Sequence, residues 1–347
     1  VDATLSQPHH PTRFWRAVDE GRVECGVCPR RCRLRDGERG FCYVRGNVGG
    51  AVVLHAYGRA SGFAVDPIEK KPLFHFLPGT RVLSFGTVGC NLACKFCQNW
   101  DISKTRDSQA LRADAGPEGI AQRARELGCA SVAFTYNDPV TSHEYCVDTA
   151  AACRELGLRP VAVSAGYQNA EPRAEFYRHM DAANIDLKAF TDSFYRRICG
   201  GQLQPVLETL QYIRQETTTW LEITTLLIPG ENDSPRELER LSQWIAGTLG
   251  PDVPLHFSAF HPAWKLMDIP PTPLATLLEA RRIALANGLR HVYVGNVICP
   301  EGESTYCHHC GQLLIGRDRY RLTAMNLTAM GACGQCGTAC PGVFRRA

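Results

Sequence analysis

The stretch Val88-Gly89-Cys90-Asn91-Leu92-Ala93-Cys94-Lys95-Phe96-Cys97-Gln98-Asn99-Trp100 decides how this chain is read. Its three cysteines, Cys90, Cys94 and Cys97, have C-x3-C-x2-C spacing on one short loop, which suits a cubane iron–sulfur cluster. A cube has four irons, so three thiolates leave one iron without a protein ligand. An iron left open can take an exchangeable ligand, as a catalytic metal must. A zinc knuckle is the rival reading, but structural zinc wants four ligands and a fourth is missing here.

Working outward, short apolar runs alternate with segments of helical period. Strands are predicted at 81–87, 130–135, 159–164, 184–187, 220–228, 255–260 and 291–294. Helices are predicted between them at 118–127, 142–156, 171–179, 204–215, 235–248 and 273–286. Such alternation implies parallel βαβ units. Runs that are apolar on both faces, as in VAFTY and PVAVS, suit a parallel sheet covered by helices. Ser142 and Ser234 fit helix N-caps, Pro235 fits a first helical turn, and Gly157 and Gly288 fit helix ends. In sheets of this kind chemistry gathers at the carboxyl ends of the strands. There the sequence places Cys90 after the first strand, Asn137 and Asp138 after the second, and Lys188 after the fourth.

Two more cysteine groups flank this core. Cys25, Cys28, Cys32 and Cys42 lie in a Gly- and Pro-bearing prelude whose short apolar patches read as small strands and turns. Four thiolates suit either zinc or a second iron–sulfur cluster. The spacing alone does not separate them, and a structural ion stapling a segment too small to fold alone is the preferred reading. Arg30, Arg31, Arg33, Arg35 and Arg39 could offset thiolate charge there. They could also contact nucleic acid, but no aromatics interleave with them to stack bases, so no nucleic-acid partner is expected. Cys307, Cys310, Cys333 and Cys336 form two CxxC pairs, each followed by a glycine, the pattern of a zinc ribbon. Its role is either docking a partner or closing the bottom of a barrel. Cys340 is a spare thiol, and Cys129, Cys146, Cys153, Cys199 and Cys299 read as small core residues.

Taken together, DPIEKKPLFHFLPG (66–79), VGCNLACKFCQNW, TYNDP (135–139), NIDLKAF (184–190), LLIPGENDS (226–234), HFSAFHP (256–262) and YVGNV (293–297) resemble the radical S-adenosylmethionine (SAM) superfamily. Within it they are similar to the pyruvate formate-lyase activating enzyme group, and closest to the branch called the AmmeMemoRadiSam system radical SAM enzyme. The similarity runs from about residue 14 to the end. It implies an α/β fold: a partial TIM-like (β/α) barrel over 81–300, with a cysteine-rich module at 1–80 and a zinc-ribbon-like module at 301–347. It implies a [4Fe–4S] cluster on Cys90, Cys94 and Cys97, and SAM on the open iron. Reductive cleavage of SAM would give a 5′-deoxyadenosyl radical that abstracts hydrogen from a substrate. Asp138 stands where the family usually has a Glu near the SAM amino group, and Asp186 and Lys188 match a DLK motif associated with SAM and substrate. The flanking groups would hold zinc or additional iron–sulfur. A low-potential donor such as flavodoxin or ferredoxin, and a protein substrate or companion proteins, would be the partners.

Each assignment has a plainer competitor. Asp186 and Lys188 could be a salt-bridged strand end, Asp138 could cap a helix, and Asn99 and Trp100 read as loop or packing residues. His256 and His261 read as core or wall histidines. A different class of function, a non-catalytic multi-metal scaffold binding a protein or RNA, would use zinc at all three sites. The open three-cysteine site argues against it.

The bulk numbers agree with an ordinary globular chain: 347 residues, 44% hydrophobic, 21% charged, formal net charge +3. That charge is too mild to argue for nucleic acid or a membrane surface. No run reaches the ~18 apolar residues of a membrane span, and the first residues lack a signal-peptide pattern. Eleven of the 17 cysteines fall in the three groups above. A reducing, cytoplasmic setting, where thiolates survive as metal ligands, is the expectation.

Overall fold

The apolar runs form strands where the alternation predicts them. The structure, a computed structural model, describes residues 9–107, 111 and 113–344. Its main sheet has eight strands: β1 (Gly62–Pro67), β2 (Arg81–Gly86), β3 (Ser131–Phe134), β4 (Arg159–Ser164), β5 (Ala182–Asp186), β6 (Trp220–Leu227), β7 (Leu255–Ala259) and β8 (Val292–Gly295). They lie side by side in chain order. From β2 to β8 every pairing is parallel. β1 pairs antiparallel with β2, Phe63 opposite Phe85. The sheet therefore reaches back to Gly62, before the change of sequence texture at position 81.

Strictly sequential parallel order has a consequence. Right-handed crossovers that always step in one direction put all helices on one face. The opposite face can then be buried only by curling the sheet on itself, which makes a (β/α) barrel. Here β1 and β8 remain unpaired ends of one eight-stranded sheet, so the barrel is partial. The covering helices are α1 (Pro117–Glu126), α2 (His143–Glu155), α3 (Ala170–Arg178), α4 (Gln204–Glu216), α5 (Pro235–Trp244) and α6 (Leu274–Ala286). Pro235 occupies the first turn of α5 and Ser234 caps it, its hydroxyl accepting from Glu237 N at 3.4 Å. Ser142 does not cap α2 as expected. Its hydroxyl pairs with Thr87 Oγ1 at 2.9 Å, and a 3-10 turn, Pro139–Ser142, capped by Asp138, leads into the helix.

The N-terminal segment forms two small three-stranded sheets pinned to the barrel wall. Buried Arg45 donates to Thr141 O at 3.0 Å and pairs with Glu144 on α2. Asn169 Nδ2 donates to Gly26 O at 2.6 Å. The C-terminal segment packs under the barrel. Buried Arg317 donates to Phe74 O at 2.6 Å and Thr305 Oγ1 at 2.9 Å, and lies over the Phe74 ring. Leu77 N and Val343 O, then Val343 N and His75 O, bond at 2.7 Å each. No helix among the described residues is long and apolar enough to cross a membrane.

Candidate active site

The loop carrying Cys90, Cys94 and Cys97 leaves the carboxyl end of β2 and is held from three sides. Asn137, at the end of β3, accepts from Thr87 N at 2.9 Å, while its amide donates to Thr87 Oγ1 and to the carbonyls of Val88 and Gly89 at 2.9, 3.3 and 2.8 Å. Ala93 N and Lys95 N donate to the Cys199 and Ile198 carbonyls at 2.8 and 2.9 Å. Lys104 Nζ donates to Leu92 O at 2.7 Å. Gly89, at φ 74°, is required: a Cβ there would sit 1.8 Å from the Cys42 carbonyl oxygen. This lacing fixes the three thiols before any ligand binds, which is what a pre-organised site needs.

All three cysteines open onto one cleft of about 290 Å³ at the carboxyl ends of the strands. That is near the lower end of the ~300–1,000 Å³ typical of ligand pockets. Asp138, Asp186 and Lys188 line the same cleft, as do Asn99, Tyr136 and Asn137. Lys188 Nζ lies 2.8 Å from Asp186 Oδ2, and its backbone N–H donates to the Tyr195 hydroxyl at 3.1 Å. Burial works against the Lys188 ammonium, but Asp186 and the Cys94 thiol hold its pKa well above the usual range. Burial also lifts the Asp138 carboxyl, whose oxygens accept from Val140 N, Ser164 Oγ and Ala165 N at 3.0 Å each. Asp138 thus caps the Pro139–Ser142 turn and ties β3 to β4 while facing the cleft.

Burial pushes the Cys90 thiol up to about 12, so a thiolate there needs a positive partner such as a metal. Cys94 moves the other way: a hydrogen bond from Cys199 stabilises its thiolate, helped by Lys188 and Lys104. Cys199, read as a core residue, therefore packs against the cluster loop. Asn137 was visible as a turn residue but not as a clamp. Tyr136, at φ 72°, sits in a backbone region unusual for a non-glycine residue and accepts from Asn99 Nδ2 at 2.9 Å. His256 is buried and bonds Glu222 Oε2 at 2.7 Å through Nε2, while His261 is exposed.

Asn137→Ala removes an acceptor and three donor contacts from a buried turn. We expect a loss of about 1–3 kcal/mol in unfolding free energy, read from the urea midpoint, together with lower iron content after reconstitution.

The C-terminal thiols are close together. Ligand atoms of Cys307, Cys310, Cys333 and Cys336 all lie within 4.8 Å of one another. Cys307 and Cys336 sulfurs are 3.6 Å apart, and those of Cys310 and Cys333 are 3.7 Å apart. A tetrahedral zinc with bonds of ~2.3 Å has sulfur–sulfur edges of ~3.8 Å. Gly311 and Gly337, at φ 74° and 75°, turn each knuckle, donating to the Cys307 and Cys333 carbonyls at 2.9 Å. A second close group, His75, His291 and Cys340, is fully buried. His75 Nδ1 lies 2.6 Å from the Pro341 carbonyl, which can only accept, and 3.8 Å from the Cys340 sulfur, so it carries a hydrogen, and Nε2 is engaged by the Tyr293 hydroxyl. Both ring nitrogens are committed to protein, which makes His75 a packing residue.

A partial (β/α) barrel carries three loop cysteines at the carboxyl end of its first parallel strand, all opening onto one cleft. Residues 85–241 match the radical SAM superfamily, so the barrel core carries a radical SAM domain. The chain is 42% identical over 314 residues to the uncharacterized protein MJ0808 of Methanocaldococcus jannaschii, covering 90% of this chain and 93% of that one. It is 26% identical over 230 residues to a pyruvate formate-lyase-activating enzyme of Listeria monocytogenes, covering 60% of this chain and 89% of that one. The fold is similar to a radical SAM methyltransferase from Sphaerobacter thermophilus, with a TM-score of 0.52 at 15% identity over 88% of this chain and 81% of that one.

Proposed function

We propose that Cys90, Cys94 and Cys97 ligate a [4Fe–4S] cluster whose fourth iron takes SAM, and that the enzyme abstracts hydrogen from its substrate. When bound, the reduced cluster supplies one electron that breaks a carbon–sulfur bond of SAM. The observation that supports this most is the convergence of three thiols and the Asp186–Lys188 pair on one cleft. A carboxylate can accept from the SAM ammonium and a lysine can hold its carboxylate, the roles we give to Asp138 or Asp186 and to Lys188. Asp138 has three of its roughly four lone-pair sites in use, so Asp186, half open to the cleft, is the better placed acid. A flavodoxin or ferredoxin would donate the electron, and seventeen free thiols suit a reducing cytoplasm.

The test is anaerobic reconstitution with iron and sulfide, reduction by dithionite, addition of SAM and measurement of 5′-deoxyadenosine. Product above the enzyme-free rate is expected. A fully loaded cluster that gives none would favour the non-catalytic scaffold.

At the C-terminus we propose structural zinc, supported by sulfur spacings of 3.6 and 3.7 Å. Cys333→Ser should lose about one zinc per chain and open the module to limited proteolysis within 305–340. SAM cleavage should fall much less than the zinc content, because the buried Arg317 anchor to Phe74 does not depend on the ion.

A further inference from the structure

We infer that Cys25, Cys28, Cys32 and Cys42 hold a second, fully cysteine-ligated iron–sulfur cube, a redox centre rather than the structural ion preferred on sequence grounds. Three observations carry this. The first is size. The four thiols surround a cavity of about 20 Å³, room for a water-sized sphere between them. Four sulfurs set for one zinc, each ~2.3 Å from the ion, would leave no such room. The tight four-sulfur grouping found at Cys307, Cys310, Cys333 and Cys336 does not recur here among the described residues. A cube gives each thiolate its own iron and so holds the sulfurs farther apart.

The second observation is an orphaned charge. Arg45 forms part of the cavity wall and is 2% exposed. Its Nε and Nη2 are used by Thr141 and Glu144, but Nη1 has no hydrogen-bond partner. A buried guanidinium nitrogen without a partner is costly, and an anionic group in the cavity would satisfy it. Four thiolates around an iron–sulfur core carry net negative charge. The third observation is that the sulfurs are already solvated by backbone. Phe41 N donates to the Cys32 sulfur at 3.5 Å, and the backbone amides of Val27, Arg30 and Arg45 favour the thiolates of Cys25, Cys28 and Cys42 respectively. Hydrogen bonds to cluster sulfurs are a recognised means of setting reduction potential.

Position gives the centre its meaning. Asn91 lines this cavity, while Cys90 and Leu92, its neighbours in the chain, line the catalytic cleft. Arg30 bridges the two, donating to the carbonyls of Asn91 and Gly200, and the Cys42 carbonyl rests on Gly89. The two sulfur-lined cavities are therefore separated by a single turn of chain. Because all four irons would have protein ligands, this cube has no open corner for SAM. It takes or gives one electron, with dithionite as the reductant in the test below.

The test uses the full chain, reconstituted anaerobically with iron and sulfide. Wild type should hold about eight irons and eight sulfides per chain, two cubes of four. The Cys90→Ala/Cys94→Ala/Cys97→Ala variant keeps the N-terminal ligands, so it should hold about four of each. Its brown colour should bleach with dithionite, and the electron paramagnetic resonance signal of its reduced form should not change on adding SAM. The Cys25→Ala/Cys28→Ala variant should instead keep a signal that SAM does change. An iron-free, colourless first variant, or one carrying a second zinc in place of iron, overturns the inference. Failure of SAM cleavage leaves this iron count untouched, so the two proposals fail separately.

Discussion

Cys94→Ala is expected to reduce 5′-deoxyadenosine formation to the enzyme-free rate, a loss of at least ~1,000-fold given the size of ordinary enzymatic accelerations. The thiol is 7% exposed and central among the three loop cysteines. Removing it would leave the proposed cluster with two protein ligands, too few to hold an open-cornered cube against loss of iron. The loop itself should stay in place. Its bonds from Ala93 and Lys95 to the 198–199 backbone are main-chain bonds that the substitution does not touch. The defect should therefore appear as lost iron and lost product with a thermal midpoint close to that of the metal-free wild type. Cys146→Ala is the control. That thiol is also buried, 3% exposed, but it sits on α2 with its sulfur facing the Pro139 carbonyl at 3.6 Å, and it does not line the catalytic cleft. It should cost about 1 kcal/mol of stability and leave turnover within about twofold. SAM cleavage by Cys94→Ala above background, or loss of cleavage in Cys146→Ala, would remove the ligand assignment.

The barrel was legible because its signal is a period. Each strand of the main sheet from β2 onward coincides within two residues with an apolar run, and each of α1 to α6 begins within a residue of its predicted start. What period cannot carry was not legible. The pairing of Gly62–Pro67 with β2 depends on partners farther along the chain, from Pro67 opposite Arg81 to Gly62 opposite Gly86, and its exposed pattern gives no sign of a main-sheet strand. The ends of two helices relax into π-helical turns at Tyr195–Cys199 and Ile245–Leu249, which propensity does not encode. The cysteines mark three candidate metal sites, since thiol spacing is local. The choice of ion at Cys25, Cys28, Cys32 and Cys42 turns on how far apart the sulfurs are held, and the cavity between them is walled in part by Asn91, Val140 and Thr141, which local thiol spacing does not see. In the same way TYNDP drew notice to Asp138, whereas the clamp on the cluster loop is its neighbour Asn137, whose partners lie 48 to 50 positions earlier.

The largest stability effect is expected one layer beneath the cleft, at Glu222. Alternation along β6 puts Glu222, Thr224 and Leu226 on one face, and the latter two line the catalytic cavity. Glu222 is fully buried, yet its carboxylate accepts four hydrogen bonds: Phe74 N at 3.0 Å, His75 N at 2.8 Å, Trp220 Nε1 at 3.0 Å and His256 Nε2 at 2.7 Å. Burial alone would lift this carboxyl, but His256 and the backbone amides hold its pKa below the usual glutamate value. Two of these bonds, from Phe74 N and His75 N, hold the 74–75 segment against the barrel floor, and that segment in turn carries Val343 of the C-terminal module. Glu222→Ala orphans all four donors in a site water does not reach. Removing one partner from a buried charged network typically costs about 3–5 kcal/mol, and we expect a urea midpoint lowered accordingly. Glu222→Gln separates charge from shape. Its amide restores one acceptor oxygen but turns an NH2 group toward a backbone N–H, so about 1–3 kcal/mol should be lost. Both variants should keep the iron bound at Cys90, Cys94 and Cys97 wherever they remain folded, because no bond of that loop passes through Glu222. Midpoints of both variants within ~1 kcal/mol of wild type, by denaturant titration, would mean that the floor is held by packing alone.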